Sequence, residues 1–160
     1  GRGQVMHVSP DYSVLIDYAH TGVSFERIIS TVEQYNPNKL IVVYGSGGKR
    51  SKTRRYESGE VVAKHGGYSI LTADNPRGEK IVDICKDIVV GIDKYHGEYT
   101  IIPDRKEAIY HALDMACKGD VVLLLGKGHE TYMIGEDEVT RHFSETEVLE
   151  EYKKERGLNA

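Results

Sequence analysis

Short apolar runs alternate along this chain with stretches in which apolar residues recur every three or four positions. Ser13 to Ile16, Leu40 to Tyr44, Tyr68 to Ala73, Tyr99 to Ile102 and Val121 to Leu125 read as five strands, with Val5 to Val8 set beside the first. Leu40-Ile41-Val42-Val43-Tyr44 is continuously apolar and β-branched, as a strand covered on both faces must be. Between the strands, helical spacing links Phe25, Ile28, Ile29, Val32 and Tyr35, and then Ile81, Ile84, Cys85 and Ile88. A helix from Tyr56 to Lys64 ends at Gly66-Gly67. Another carries Ala108, Ile109, Ala112, Leu113 and Ala116 behind a cap formed by Asp104 and Glu107. This alternation predicts an α/β, Rossmann-like fold, with a right-handed, doubly wound and mainly parallel sheet. The tail breaks the pattern. Thr131 to Ile134, the turn Gly135-Glu136-Asp137 and Val139 to Phe143 predict a hairpin. Ser144 with Glu147 then caps a last helix to about Arg156.

Four of the predicted strands run into loops rich in glycine or charge. These are Asp17-Tyr18-Ala19-His20-Thr21, Gly45-Ser46-Gly47-Gly48-Lys49-Arg50, Asp74-Asn75-Pro76-Arg77 and Gly126-Lys127-Gly128-His129-Glu130. In an open parallel sheet the loops at the carboxyl ends of the strands line one crevice, where ligands bind. Arg50, Arg77 and Lys127 are therefore expected to meet Asp17, Asp74 and Glu130, a mixture suited to a zwitterionic or phosphorylated small molecule. Each loop also has a plain reading. Asp74 and Asn75 bond their own backbone in turns and Pro76 fixes φ, which leaves Arg77 unexplained. Thr21 or Ser24 caps a helix. The glycines of 45–48 free backbone N–H groups for an anion or simply make a turn. None of the loops is a P-loop: neither Lys49 nor Lys127 is followed by Ser or Thr, and no dinucleotide fingerprint follows the first strand.

Composition adds limits. The 160 residues make about one domain, read here as 1–160, and the net charge of −4 argues against nucleic acid or an anionic membrane as partner. The basic run from Lys49 to Arg55 is too local for a nucleic-acid footprint. No apolar run approaches the length of a membrane span. The two cysteines, Cys85 and Cys117, both fall in helical patterns without metal-ligand spacing and are expected to be reduced thiols in the cytoplasm. His65, His96 and His111 read as surface residues. No zinc cluster and no nucleophile elbow are present. The opening Gly1-Arg2-Gly3, without Met, leads to the expectation of an excised domain.

Taken together and in this order, the four loops resemble the carboxy-terminal domain of the Mur ligases, and among these the members that add meso-2,6-diaminopimelate. The resemblance runs from Gly1-Arg2 to about Phe143. It implies that Asp74, Asn75, Pro76 and Arg77 recognise diaminopimelate, with Arg50, Gly126 and Glu130 as further contacts. Asp17, Tyr18, His20 and Lys127 are implied to meet nucleotide as domains close. No catalytic residue and no metal ligand is assigned in this chain. The resemblance implies ATP-dependent amide formation: the carboxylate of a UDP-MurNAc-dipeptide becomes an acyl phosphate, and the incoming amine displaces phosphate. ATP and Mg would be held mainly by a central domain, and the UDP-sugar by an amino-terminal one, neither of which lies in these residues. This chain by itself is expected to be inactive and monomeric, holding the amino acid and closing over ATP. Two departures from the family pattern are Gly22 in place of a usual Pro and Lys49 in place of a frequent Asp. The alternatives are a stand-alone amino-acid or nucleotide-binding module, or the terminal domain of a folylpolyglutamate synthetase-like ligase.

Overall fold

The computed structural model describes residues 3–158. Its elements are β1 (Gln4–Met6), β2 (Ser13–Asp17), α1 (Gly22–Glu33), β3 (Leu40–Tyr44), α2 (Lys52–Lys64), β4 (Tyr68–Leu71), α3 (Ile81–Asp93), β5 (Tyr99–Ile101), α4 (Arg105–Met115), β6 (Val121–Leu125), β7 (Tyr132–Ile134), β8 (Thr140–His142) and α5 (Glu145–Glu155). Six strands form one sheet in the order β1-β2-β6-β3-β4-β5. Only β1 runs antiparallel, against β2. β7 and β8 make a separate antiparallel hairpin.

The topology follows from one handedness rule. The chain steps from β2 to β3, β4 and β5 in a single direction, and right-handed crossovers then put α1, α2 and α3 on one face. The return from β5 to β6 runs the opposite way, so the same hand puts α4 on the other face. Alternating residues of the strands serve the two layers. Val42, Tyr44, Leu71, Leu123 and Leu125 pack with Phe25, Ile29, Val62, Ile84 and Ile88. Ile41, Val43, Ile70, Val122 and Leu124 pack with Ile109, Leu113, Leu149 and Tyr152. Each fully buried side chain of this kind contributes about 1.5–3 kcal/mol of transfer free energy.

The strand ends are level. Asp17 pairs with Leu125, and Tyr44 with Leu71, so the four loops leave the sheet at one edge. Thr21 caps α1 and Ser24 reciprocates, so both candidate residues take part in the cap. Gly22, the first residue of α1, sits where an added Cβ would lie 2.9 Å from Cβ of Glu57 on α2.

Several sequence expectations needed correction. α2 begins at Lys52, a turn earlier than Tyr56, because Ser51 accepts a hydrogen bond from Thr53 N–H. β4 stops at Leu71 and β5 at Ile101, two residues and one residue short of the predicted ends. The first strand covers Gln4–Met6. Cys117 lies beyond the end of α4 and is exposed, whereas Cys85 is buried and its thiol is pushed up to about 12 by that burial. His65 is no free surface residue: its two ring nitrogens contact Glu33 and Glu26 of α1, tying α2 to α1. Gly1 and Arg2, at the start of the expected domain, lie outside the described residues.

Candidate functional site

The four loops enclose a crevice of about 200 Å³ lined by Tyr18, His20, Ser46, Gly47, Arg50, Arg54, Asp74, Asn75, Arg77, Gly126 and Glu130. Drug-sized ligands occupy roughly 300–1,000 Å³, so this volume suits something smaller, such as a single amino acid. The wall is ionic. Among the described residues Asp74 is buried and its carboxylate makes no side-chain hydrogen bond. Arg50 reaches only the Lys49 carbonyl at 3.4 Å, and Arg77 only the Gly48 and Asn75 carbonyls, each at 3.4 Å. At such lengths these bonds are weak. Most guanidinium N–H groups thus remain available for an acid.

Close approach of the loops demands glycine at two positions. A Cβ on Gly48 would fall 1.6 Å from the Pro76 carbonyl oxygen, and Gly48 N–H donates to the Asn75 carbonyl at 2.9 Å. Gly126 has φ +110°, and a Cβ there would meet Asp74 Oδ2 at 2.3 Å. The neighbouring backbone is strained as well. Lys49, Asn75 and Arg77 hold φ values of 57°, 48° and 49°, left-handed conformations that cost a non-glycine residue roughly 1–3 kcal/mol each. Such strain persists only where surrounding bonds over-determine it.

Those bonds come from residues whose roles sequence reasoning assigned differently. Lys127 does not line the crevice. Its ammonium is fully buried, donating to Asn75 Oδ1 at 3.1 Å and to the Tyr132 carbonyl at 2.6 Å. It also lies 3.0 Å from Glu130 Oε1, an ion pair without hydrogen-bond geometry. The amide of Asn75 turns inward and accepts a further bond from Ile134 N–H at 2.9 Å. The hairpin thus buttresses the Asp74–Arg77 loop: Arg77 N–H and Gly78 N–H donate to the carbonyls of Ile134 and Gly135. Pro76 is buried behind the crevice wall.

Asp17 is also absent from the crevice. Its carboxylate accepts from Ala19 N–H at 2.8 Å and faces an adjoining groove with Leu15, Ala19, Ile28 and Arg27. Tyr18 and His20 stand between the two hollows. His20 Nδ1 donates to the Tyr18 carbonyl at 2.8 Å, which leaves Nε2 outward. The Glu130 carboxylate, ahead of burial, raises the Tyr18 phenol above its ordinary value. So the structure brings together Arg50, Asp74, Asn75, Arg77, Gly126, Glu130, Tyr18 and His20, and sets Asp17, Pro76 and Lys127 beside or beneath them.

Ser46 and Gly47 also line the crevice, within the glycine loop singled out from the sequence but without a role of their own there, and Arg54 was missed. The basic run contained a signal for Arg54. Arg54 and Arg55 are neighbours at the start of α2, and the helix turns one outward and the other into the core, where Arg55 is 1% exposed.

The Mur ligase, glutamate ligase domain family matches residues 1–128. A UDP-N-acetylmuramoyl-L-alanyl-D-glutamate–2,6-diaminopimelate ligase of Clostridium perfringens is 46% identical over 138 residues, which is 86% of this chain and 28% of that protein. A solved structure titled as a ligase of the same name superposes with a TM-score of 0.89 at 31% identity, covering 98% of this chain and 32% of the other. A bifunctional folylpolyglutamate synthase/dihydrofolate synthase from Yersinia pestis shares the fold, with a TM-score of 0.61 at 19% identity over 79% of this chain and 28% of that one. The chain spans 28% to 32% of the length of the curated relatives it matches first.

Proposed function

The chain belongs to the Mur ligase family, and from that premise we propose that it is the amino-acid-holding domain of an ATP-dependent ligase that joins meso-2,6-diaminopimelate to UDP-MurNAc-L-Ala-D-Glu in peptidoglycan synthesis. The supporting observation is the charge pattern of the crevice. Arg50, Arg54 and Arg77 stand with free donors, while Asp74 and Glu130 offer carboxylate oxygens. Diaminopimelate carries two carboxylates and two ammonium groups, so it complements this wall at both ends. Its distal carboxylate pairs with the planar fork of Arg77, and its distal ammonium sits between Asp74 and Glu130. Arg50 holds the carboxylate beside the reacting amine. The chemical work of the domain is orientation, which turns an encounter into a positioned attack.

The described residues do not fit MgATP as a complete site. No Lys-Ser/Thr phosphate loop is present in the sequence, and among the described residues no group of three or more His, Cys, Asp or Glu side chains could hold a metal. We place the nucleotide contact of this chain at the groove around His20, closing against a partner domain in the full-length protein.

The test is the choice between diaminopimelate and L-lysine, which lacks the distal carboxylate. Sites built around a polar substrate group reject the analogue lacking it by roughly 10⁴-fold or more. In the full-length ligase, Arg77→Ala should raise KM for diaminopimelate and narrow its kcat/KM advantage over lysine. Arg77→Lys should not restore the advantage, because an ammonium cannot form the bidentate contact. An unchanged ratio in Arg77→Ala would make Asp74–Arg77 a turn without a recognition role.

A further inference from the structure

Behind the crevice, out of reach of any ligand, one buried arginine joins the two loops that carry Arg50 and Arg77. Arg55 Nη1 donates to Glu79 Oε2 at 2.8 Å and to Asp87 Oδ2 at 2.9 Å, and Nη2 donates to Glu79 Oε1 at 2.9 Å and to the Gly47 carbonyl at 3.3 Å. Glu79 Oε1 also accepts the Lys49 N–H at 3.0 Å. The pair therefore grips the glycine loop at Gly47 and Lys49. It grips the other loop just past Arg77, where Glu79 N–H donates to the Pro76 carbonyl. Asp87 anchors the assembly to α3. The Arg55 side chain is 2% exposed and that of Glu79 30%, so the guanidinium end of this bidentate, charge-assisted contact is shut off from water while the carboxylate end is partly open.

We propose that Arg55 and Glu79 are positioning residues that set the distance between the Arg50 and Arg77 guanidiniums and so fix the length of amino acid the crevice accepts. This role for Arg55 and Glu79 presupposes that the crevice holds diaminopimelate. Lys49 and Arg77 occupy left-handed backbone conformations on the two sides of the crevice. Both would relax toward ordinary φ values if released. The Arg55–Glu79 bridge spans both strained segments, and the direct bonds between them are Gly48 N–H to the Asn75 carbonyl at 2.9 Å and the longer Arg77 Nη1 to the Gly48 carbonyl at 3.4 Å. The Glu79 carboxyl is held down to about 2, first by Arg55 and then by the Lys49 N–H, so the bridge is ionised at neutral pH. A displacement of about 1 Å at a substrate-positioning group can cost on the order of 10²-fold in rate.

The experiment uses the full-length ligase, with Glu79→Gln and Glu79→Asp as variants. Asp114→Ala serves as the stability control: it breaks the Asp114–Arg156 pair between α4 and α5, near Tyr12 at the amino ends of the strands and away from the crevice. KM is measured separately for meso-diaminopimelate, ATP and the UDP-linked dipeptide, with Tm alongside. Positioning predicts that both Glu79 variants raise KM for diaminopimelate roughly 10- to 100-fold and narrow its advantage over L-lysine. KM for ATP and for the dipeptide should stay near wild type, and Asp114→Ala should lower Tm without this split. Glu79 variants that lower Tm but leave the diaminopimelate KM unmoved, or that raise all three KM values together, overturn the proposal. Wild-type enzyme that does not turn over diaminopimelate overturns the reading of the crevice itself, and is told apart because no variant is then needed.

Discussion

Replacing Arg105 with Met is the sharpest test of how the crevice is held from below. Arg105 is 1% exposed at its side chain, and its partner Glu145 is 0% exposed. Nε donates to Glu145 Oε2, Nη1 to the Ala73 carbonyl and Nη2 to the Leu125 carbonyl, each at 2.9 Å. Those carbonyls belong to the residues just before Asp74 and Gly126, so one guanidinium ties the roots of two site loops to the start of α5. Glu145 Oε1 already lacks a partner among the described residues. Met leaves the carboxylate buried and alone, with two strand-end carbonyls unpaired. Removing one member of a buried pair costs about 3–5 kcal/mol. At about 2–4 °C per kcal/mol for a chain of this size, the expected loss in Tm is roughly 6–20 °C. The double variant Arg105→Met/Glu145→Leu removes the stranded charge and should recover much of the loss, since apolar replacement of a buried pair is often near neutral. It should still bind the amino acid poorly, because the loop roots stay untied.

The pH dependence has a definite sign. Burial, the largest cause, raises the Glu145 carboxyl above its ordinary value, and Arg105 opposes that rise. An acid whose folded-state value is raised takes up its proton more readily folded than unfolded, so acidification favours the native state. Without Arg105 this effect grows, and the Arg105→Met penalty should shrink as pH falls. Thermal and denaturant unfolding of wild type, Arg105→Met, Glu145→Leu and the double variant measure all of this. A single variant within about 2 °C of wild type, or a double variant no more stable than Arg105→Met, refutes the reasoning.

Other outcomes follow from the same geometry. Gly126→Ala adds a methyl 2.3 Å from Asp74 Oδ2 at a backbone φ of +110°; it should lose roughly 1–3 kcal/mol together with amino-acid affinity, and a titration showing wild-type affinity would contradict the close approach. Gly48→Ala meets the Pro76 backbone oxygen at 1.6 Å, where no side chain can yield, so its loss in Tm should exceed that of Gly126→Ala. Glu79 titrates in the opposite sense to Glu145. Its folded-state value is lowered to about 2, so its contribution is present above the ordinary carboxylate range and disappears as pH falls toward 2. The Tm deficit of Glu79→Gln should therefore close on acidification, and a pH-independent deficit would mean that the Arg55 bridge is not ionic.

Much of this protein was legible in the chain because the governing forces are local or periodic. The β-branched run Leu40–Tyr44 could only be a strand buried on both faces, and it pairs on both sides with parallel strands. The four charged or glycine-rich loops follow strands in sequence, so a parallel sheet sets them on one edge whatever else happens. Arg50, Asp74, Arg77 and Glu130 were found for that reason. What sequence could not assign was direction, because whether a charge faces ligand or core depends on neighbours distant in the chain. Lys127 reads like a phosphate ligand between two glycines, yet its ammonium is taken up by Glu130 and the Tyr132 carbonyl just downstream and by Asn75, 52 residues away in the chain. Arg54 and Arg55 are adjacent and chemically alike. The 100° step of the helix, and the presence of Glu79 24 residues away and Asp87 32 away, made one a crevice wall and the other a hidden brace. Burying an ion is affordable only where partners of opposite charge are already in place, and those partners are brought together by the fold alone.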